Sequence, residues 1–203
     1  VVGEYKYDGD GGRTLKRSAV QGQPSILQTT EFVGNLYETN SYSGQMQNPV
    51  GNYKYIFLGG TRVASINGNN ILYYHGDHLG GANILTDSGG VVKELIEYDP
   101  FGTESRHERY GNTSQVAWYY FTGQRKDDET GLLFYNARYY DSSLGRFITP
   151  DTIVQNPSDP QTLNRYSYVN NNPVNRVDPD GRSWKKFWKK WGNLIDPMSR
   201  AII

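Results

Sequence analysis

Short runs rich in tyrosine and branched residues, punctuated by Gly, Asn and Asp, cover most of this chain and set what it can fold into. The first reads Tyr5-Lys-Tyr-Asp-Gly-Asp-Gly-Gly-Arg-Thr-Leu15. Alternation puts Tyr5 and Tyr7 on one face of a strand. The Asp-Gly-Asp-Gly-Gly cluster supplies the backbone freedom of a hairpin turn, and Thr14-Leu15 begins the return strand. Further strands are predicted around a break at Gly34-Asn35 within Glu31–Glu38, and at Asn52–Leu58 before Gly59-Gly60. Thr61–Ile66 and Ile71–Tyr74 flank Asn67-Gly-Asn-Asn70. Asn83–Asp87 and Val91–Tyr98 flank Ser88-Gly-Gly90, and Asp99-Pro-Phe-Gly102 ends the last of these. Gln115–Thr122 and Leu132–Tyr140 read as two more strands. The dipeptide Tyr-Asp recurs at Tyr7-Asp8, Tyr98-Asp99 and Tyr140-Asp141, each followed by turn chemistry. The period drifts, so the pattern predicts an antiparallel hairpin array rather than a strict solenoid.

Composition supports an all-β reading. The chain has 17 tyrosines, which suit half-buried strands, and 23 glycines, which suit turns. It has no cysteine, which excludes disulfides and Cys-based metal sites. No run approaches a membrane-spanning helix. The chain begins with Val1 and enters its first motif at once, as expected of the C-terminal piece of a longer polypeptide. A missing signal peptide therefore says nothing about export.

The pattern changes after Phe147. Pro150, Pro157 and Pro160 disfavour regular ladders. Asp159–Val169 is predicted to form a short helix, with Asp159 as N-cap and Pro160 in the first helical position. Asn170-Asn-Asn-Pro173 stops it. Then comes Tyr166-Ser-Tyr-Val-Asn-Asn-Asn-Pro-Val-Asn-Arg-Val-Asp-Pro-Asp-Gly181, after which the composition breaks sharply. Trp184, Phe187, Trp188, Trp191, Leu194 and Ile195 follow helical spacing, with Lys185, Lys186, Lys189 and Lys190 opposite, which predicts a short amphipathic helix. From Arg182 onward six basic residues face one acidic residue. The whole chain is neutral, so an acidic body ends in a basic tail.

Several long motifs carry a resemblance. Tyr73-Tyr-His-Gly-Asp-His-Leu-Gly80, Glu97-Tyr-Asp-Pro-Phe-Gly102, the run Tyr120–Asp141, Leu144-Gly-Arg-Phe-Ile-Thr-Pro-Asp151 and Asn164–Gly181 resemble, in order, the core of RHS repeat proteins, also called YD-repeat proteins. The strong part covers residues 53–181, within an RHS region of residues 1–181; residues 182–203 form a variable tail. The resemblance implies a tyrosine-rich partial β-shell whose core seals one end. It implies a secreted or cell-surface protein that encapsulates and presents a C-terminal toxin or effector. The implied partners are the rest of its own shell and that effector, with a secretion system or an immunity protein as further partners. No cofactor, metal or nucleic acid is expected for this region. The tail reads as a membrane-surface helix, as the first helix of an effector, or as a helix packed on the acidic shell.

In several members of that family the core is an aspartyl self-protease, in which two carboxylates share one proton so that one serves as base and the other as acid. Matching the motifs puts these roles at Asp151 and Asp178, with Arg146 as orienting partner and Arg182–Ser183 as the bond cut. Cleaving members carry Leu where this chain has Arg182. The residues alone also read more simply, because Pro-Asp and Asp-Pro-x-Gly are turn signals by themselves. A third class is a carbohydrate-binding or adhesion module with exposed aromatics. His75-Gly-Asp-His78 offers three metal-capable side chains in four residues, against a reading as a structural turn. The glycine pairs lack a phosphate-binding pattern.

Overall fold

A computed structural model describes residues 3–20, 23–43, 51–111 and 117–186. The chain first lays down ten strands in a continuous meander: β1 (Glu4–Tyr7), β2 (Arg13–Val20), β3 (Gln23–Val33), β4 (Tyr37–Tyr42), β5 (Gly51–Leu58), β6 (Thr61–Asn67), β7 (Asn70–Gly76), β8 (Ala82–Asp87), β9 (Val92–Tyr98) and β10 (Glu104–Arg109). Each pairs antiparallel with its neighbour in sequence, giving one ten-stranded sheet. A four-stranded sheet follows: β11 (Arg125–Asp127), β12 (Leu132–Phe134), β13 (Tyr139–Asp141) and β14 (Arg146–Phe147). The short pair β15 (Arg176–Val177) and β16 (Lys185–Lys186) closes the described chain.

One turn chemistry explains why the hairpins close where they do. At Asp8, Asp77 and Asp87 the aspartate N–H donates to the carbonyl four residues on. The glycine three residues on donates back to the aspartate carbonyl. The carboxylate accepts the N–H groups two and four residues on, at 2.7–3.0 Å. That geometry holds Gly11, Gly80 and Gly90 at φ of +85°, +85° and +79°, where a side chain is disfavoured. Asp99 and Gly102 repeat the backbone part. Asp141 caps a different turn with its carboxylate, accepting from the N–H groups two and three residues on, Ser143 and Leu144. At Tyr7-Asp8 and Tyr98-Asp99 the Tyr-Asp dipeptide is thus the tyrosine-bearing form of a more general Asp-x-x-Gly hairpin.

The core lies where the end of the large sheet meets the small one. Leu85 of β8 and Ile96 of β9 pack with Phe121, Leu133, Tyr135, Tyr140, Phe147, Tyr168 and Val169. Tyr140 and Tyr168 have ring centroids 4.6 Å apart, and both rings also meet Phe147 at 5.6–5.9 Å. Such pairs contribute about 0.5–1.5 kcal/mol each beyond burial. Buried phenols need partners, and those of Tyr140 and Tyr135 have them. Tyr140 donates to the Phe101 carbonyl at 2.7 Å, and the Tyr135 hydroxyl lies 2.7 Å from Thr122 Oγ1.

Buried ion pairs fasten the small sheet to the wall. Asp127 of β11 meets Arg13 of β2 in a two-pronged contact, Oδ1 to Nη1 at 2.8 Å and Oδ2 to Nη2 at 2.7 Å. Lys16 bridges Asp127 at 3.1 Å and Glu129 at 2.7 Å. Arg125 pairs with Glu38 of β4, which also accepts from the Tyr55 hydroxyl.

Several sequence expectations are corrected. Gln115–Thr122 was expected as a strand. Its described part instead carries one bridge, Tyr119 to Arg125, and a 3-10 turn at Phe121–Gly123. Leu132–Tyr140 is two strands, because Asn136 turns at φ +59° and lets Tyr135 and Tyr140 both face the core. Strand β10 was not foreseen, since Glu-Ser-Arg-His-Glu-Arg is polar and lacks the tyrosine signal. The helix expected over Asp159–Val169 shrinks to a 3-10 turn, Pro160–Leu163. Its cap is as expected, with Asp159 accepting from the N–H of Gln161. Most of the amphipathic helix expected from Trp184 lies outside the described residues. Its described start, Lys185–Lys186, is a strand paired with Arg176–Val177.

Candidate functional site

The border of the composition break is built around a buried arginine. Arg138 precedes β13, and a single nitrogen, Nη2, reaches Asp151 Oδ2 at 3.0 Å and Asp178 Oδ2 at 3.2 Å. All three side chains are under 10 % exposed. Two aspartates 27 positions apart are therefore brought together by one guanidinium. Arg138 also donates through Nε to the Gly181 carbonyl at 2.6 Å and through Nη1 to the Arg165 carbonyl at 3.1 Å. Its carbon Cζ sits 3.6 Å from the centroid of the Phe147 ring. Arg146, expected as the orienting partner, is exposed on β14, where its backbone meets Asp141 and Ser167. The spacing of the Tyr-Asn-Ala-Arg-Tyr-Tyr-Asp motif contains Arg138, but only tertiary packing shows that it points inward.

The Asp178 loop holds the chain beyond the border. Asp178 Oδ1 accepts from the N–H of Gly181 at 2.9 Å and from the N–H of Ser183 at 3.2 Å. Ala137 donates to the Asp180 carbonyl, and Gln124 donates to the Pro179 carbonyl, both at 3.1 Å. Gln155 Nε2 lies 3.4 Å from the Arg182 carbonyl oxygen. Arg182 reaches out to the first hairpin, with Nη2 at 3.4 Å from the Asp10 carbonyl. Trp184 packs on the core and faces the Arg176 guanidinium, 4.0 Å from its ring centroid. Residues 182–184 are thus held against the body, with the Arg182–Ser183 peptide contacted at its N–H and its carbonyl.

A cavity of about 30 Å³ opens beside this loop, lined by Arg138, Asp151, Gln155, Asn170, Asp178 and Trp184 among others. That is room for a water molecule. Asn170 Oδ1 is buried there without a protein partner. Val169, Asn170 and Asn171 all have left-handed backbones, at φ of +43°, +57° and +55°. This conformation is ordinary for Asn and costly for Val, and it turns the Asn-Asn-Asn run around the cavity.

Burial dominates the electrostatics of Asp178 and Arg138. Burial pushes the Asp178 carboxyl above the usual range, aided by the Asp180 charge and opposed by Arg138 and the two N–H donors. Burial also lowers the Arg138 guanidinium from its ordinary value, against the pull of Asp151 and Asp178.

Gly181 is the conformational hinge of the loop, at φ +72°. A Cβ there would stand 2.5 Å from the Tyr135 carbonyl oxygen and 3.1 Å from the Arg138 nitrogen. Both are backbone atoms that cannot move aside. Gly181→Ala is expected to cost at least about 1–3 kcal/mol, read as a lowered thermal midpoint. An unchanged midpoint would contradict this geometry.

The His75–His78 segment is one of the Asp-x-x-Gly hairpins. Asp77 caps its own turn, His75 Nε2 meets Thr86 Oγ1 at 2.9 Å, and His78 Nε2 meets the Val174 carbonyl at 2.9 Å. Its three side chains serve separate partners.

The Teneurin YD-shell family profile matches residues 3–174. The chain belongs to that family. It is 32 % identical over 178 residues to the tRNA3(Ser)-specific nuclease WapA of Bacillus spizizenii, covering 87 % of this chain and 7 % of WapA. It is 34 % identical over 195 residues to salivary gland surface protein 1 of Aedes aegypti, covering 88 % of this chain and 5 % of that protein. Among solved structures, TcdB2-TccC3 superposes with a TM-score of 0.73 at 26 % identity, over 88 % of this chain and 9 % of that one. The chain therefore spans a small part of the length of each relative. This YD-shell segment is an RHS/YD-repeat section with the fold of an RHS shell.

Proposed function

We propose that this YD-shell segment closes an RHS shell that encloses a C-terminal effector and holds the point where that effector joins the wall. The observation that carries the reading is the gripped border. A ten-stranded wall ends in an aromatic core, and the chain leaving that core is tied down at Asp178, Gly181 and Ser183 by buried polar contacts. A nuclease and a salivary surface protein share this segment over only 5–7 % of their lengths. A container common to both, with activity residing elsewhere, fits that sharing. The partners would be the remaining shell and the effector, with a secretion system or immunity protein acting on the whole, at a secreted or cell-surface location. Limited proteolysis of the full-length protein tests this. The segment after Ser183 should resist digestion until the shell is unfolded. Digestion at the rate of the isolated segment would refute enclosure.

A second reading, self-cleavage after Arg182, is favoured by one contact: Asp178 Oδ1 lies 3.2 Å from the nitrogen of the Arg182–Ser183 bond. Asp178, whose carboxyl is pushed upward by burial, is placed to give a proton to that leaving nitrogen. Asp151, facing the Arg138 charge, is placed to take a proton from an attacking water. Mass spectrometry of the full-length protein should find a fragment starting at Ser183, lost in Asp151→Asn and Asp178→Asn. A chain that stays intact for days at pH 4–8 rules this reading out.

A further inference from the structure

The Arg182–Ser183 peptide is contacted at both of its polar atoms. Its N–H is taken by Asp178 Oδ1, and its carbonyl oxygen faces the Gln155 side-chain amide. Resting on the self-cleavage reading, we propose that Gln155 is the group that polarises the Arg182 carbonyl and stabilises the oxyanion formed on it.

The chemistry requires such a donor. Water adds to the Arg182 carbonyl carbon, its proton passes to the Asp151 carboxylate, and the carbonyl π electrons move onto oxygen. When the C–N bond breaks, those electrons re-form the carbonyl and the Ser183 nitrogen takes a proton from Asp178. The products are an Arg182 carboxylic acid and a Ser183 amine. The negative oxygen of the intermediate needs a hydrogen-bond donor aimed at it. Arg138 is committed to Asp151, Asp178 and two other carbonyls. Gln155 is the side chain seen to donate to this oxygen. Its 3.4 Å separation is long, as such contacts often are before the transition state tightens them.

Position supports the role. Gln155 follows Asp151 by four residues and lines the same cavity, so proton acceptor, water space and carbonyl donor share one wall. The buried, unpartnered Asn170 Oδ1 lines that space too and would accept a hydrogen bond from the water there. Gln155 itself is exposed, so replacing it leaves the core untouched.

The test follows the Ser183 fragment over time in full-length protein, comparing the wild type with Gln155→Leu, Gln155→Glu and Asp178→Asn. Gln155→Leu should slow cleavage on the order of 10²-fold with an unchanged melting midpoint. Gln155→Glu should be as slow at neutral pH and recover as pH falls through about 4.3, where the side chain regains an O–H donor. A purely structural role would not produce that recovery. Cleavage of both variants at the wild-type rate overturns the assignment while leaving self-cleavage standing. A wild type that is never cut overturns both.

Discussion

Replacing Arg138 by methionine is expected to destabilise the fold by about 3–5 kcal/mol, the cost of leaving buried charges without their partner. Asp151 and Asp178 lean on the same guanidinium nitrogen, and neither has another cation within ion-pairing distance among the described residues. The loss should depend on pH in a defined sense. Burial already holds the Asp178 carboxyl above the usual range while Arg138 pulls it down. Removing Arg138 raises it further. A carboxyl with a raised folded value contributes no penalty below its unfolded value, near 3.9, and costs stability as pH rises through the folded one. The variant should therefore come closest to wild type in acid and differ most at neutral pH. Denaturant titrations at pH 4 and 7 measure this. Adding Asp151→Asn and Asp178→Asn should recover much of the neutral-pH loss. An equal deficit at both pH values would show that the arginine acts through its carbonyl hydrogen bonds and its packing on Phe147 rather than through the two aspartates.

The second large effect is expected at Asp127. Its carboxylate is fully buried and serves Arg13 with both oxygens and Lys16 with one. Asp127→Asn strands the Arg13 charge and should cost about 3–5 kcal/mol. Lys16 keeps Glu129, which softens its share. Here the pH dependence has the opposite sign. Burial alone would raise the Asp127 carboxyl, but the Arg13 hydrogen bonds and the charges of Lys16, Arg13 and Arg125 bring it below the ordinary value. The stability it contributes is complete above the unfolded value and is lost as pH falls through the folded one. Wild type should thus lose more stability than Asp127→Asn on acidification below pH 4. A variant that tracks wild type through that range would remove this carboxylate from the ledger of acid sensitivity. Because Arg13 belongs to β2 and Asp127 to β11, protease sensitivity in the first hairpin should rise in the variant.

Local chemistry made the hairpins legible. Asp-x-x-Gly places a carboxylate where it caps its own turn and a glycine where the backbone turns left-handed. That information lies within five residues at Asp8, Asp77, Asp87 and Asp99, and the turns at Gly34, Gly59 and Asn67–Asn70 are equally local, set by Gly and Asn alone. The order of the motifs made the family legible for the same reason. Strand β10 carries no apolar signal because its polar residues pair with Glu94 and Glu97 of β9 and with Lys126 rather than filling a core face. The Leu132–Tyr140 break was missed because Asn136 reads as one polar residue in an apolar run.

The site divides along the same line. Turn chemistry and family motifs pointed to Asp151 and Asp178 from sequence. Arg138 and Gln155 did not stand out, because nothing local distinguishes an arginine that turns inward from Arg146, which turns out. The choice between them is made by the aromatic core, which buries Phe147 with the Arg138 guanidinium over its ring. By itself, then, the sequence determined an all-β chain of hairpins, its family and the border at Asp178. Only the tertiary structure decided which charges share that border, because burial strengthens a charge contact and is created only when distant strands pack together.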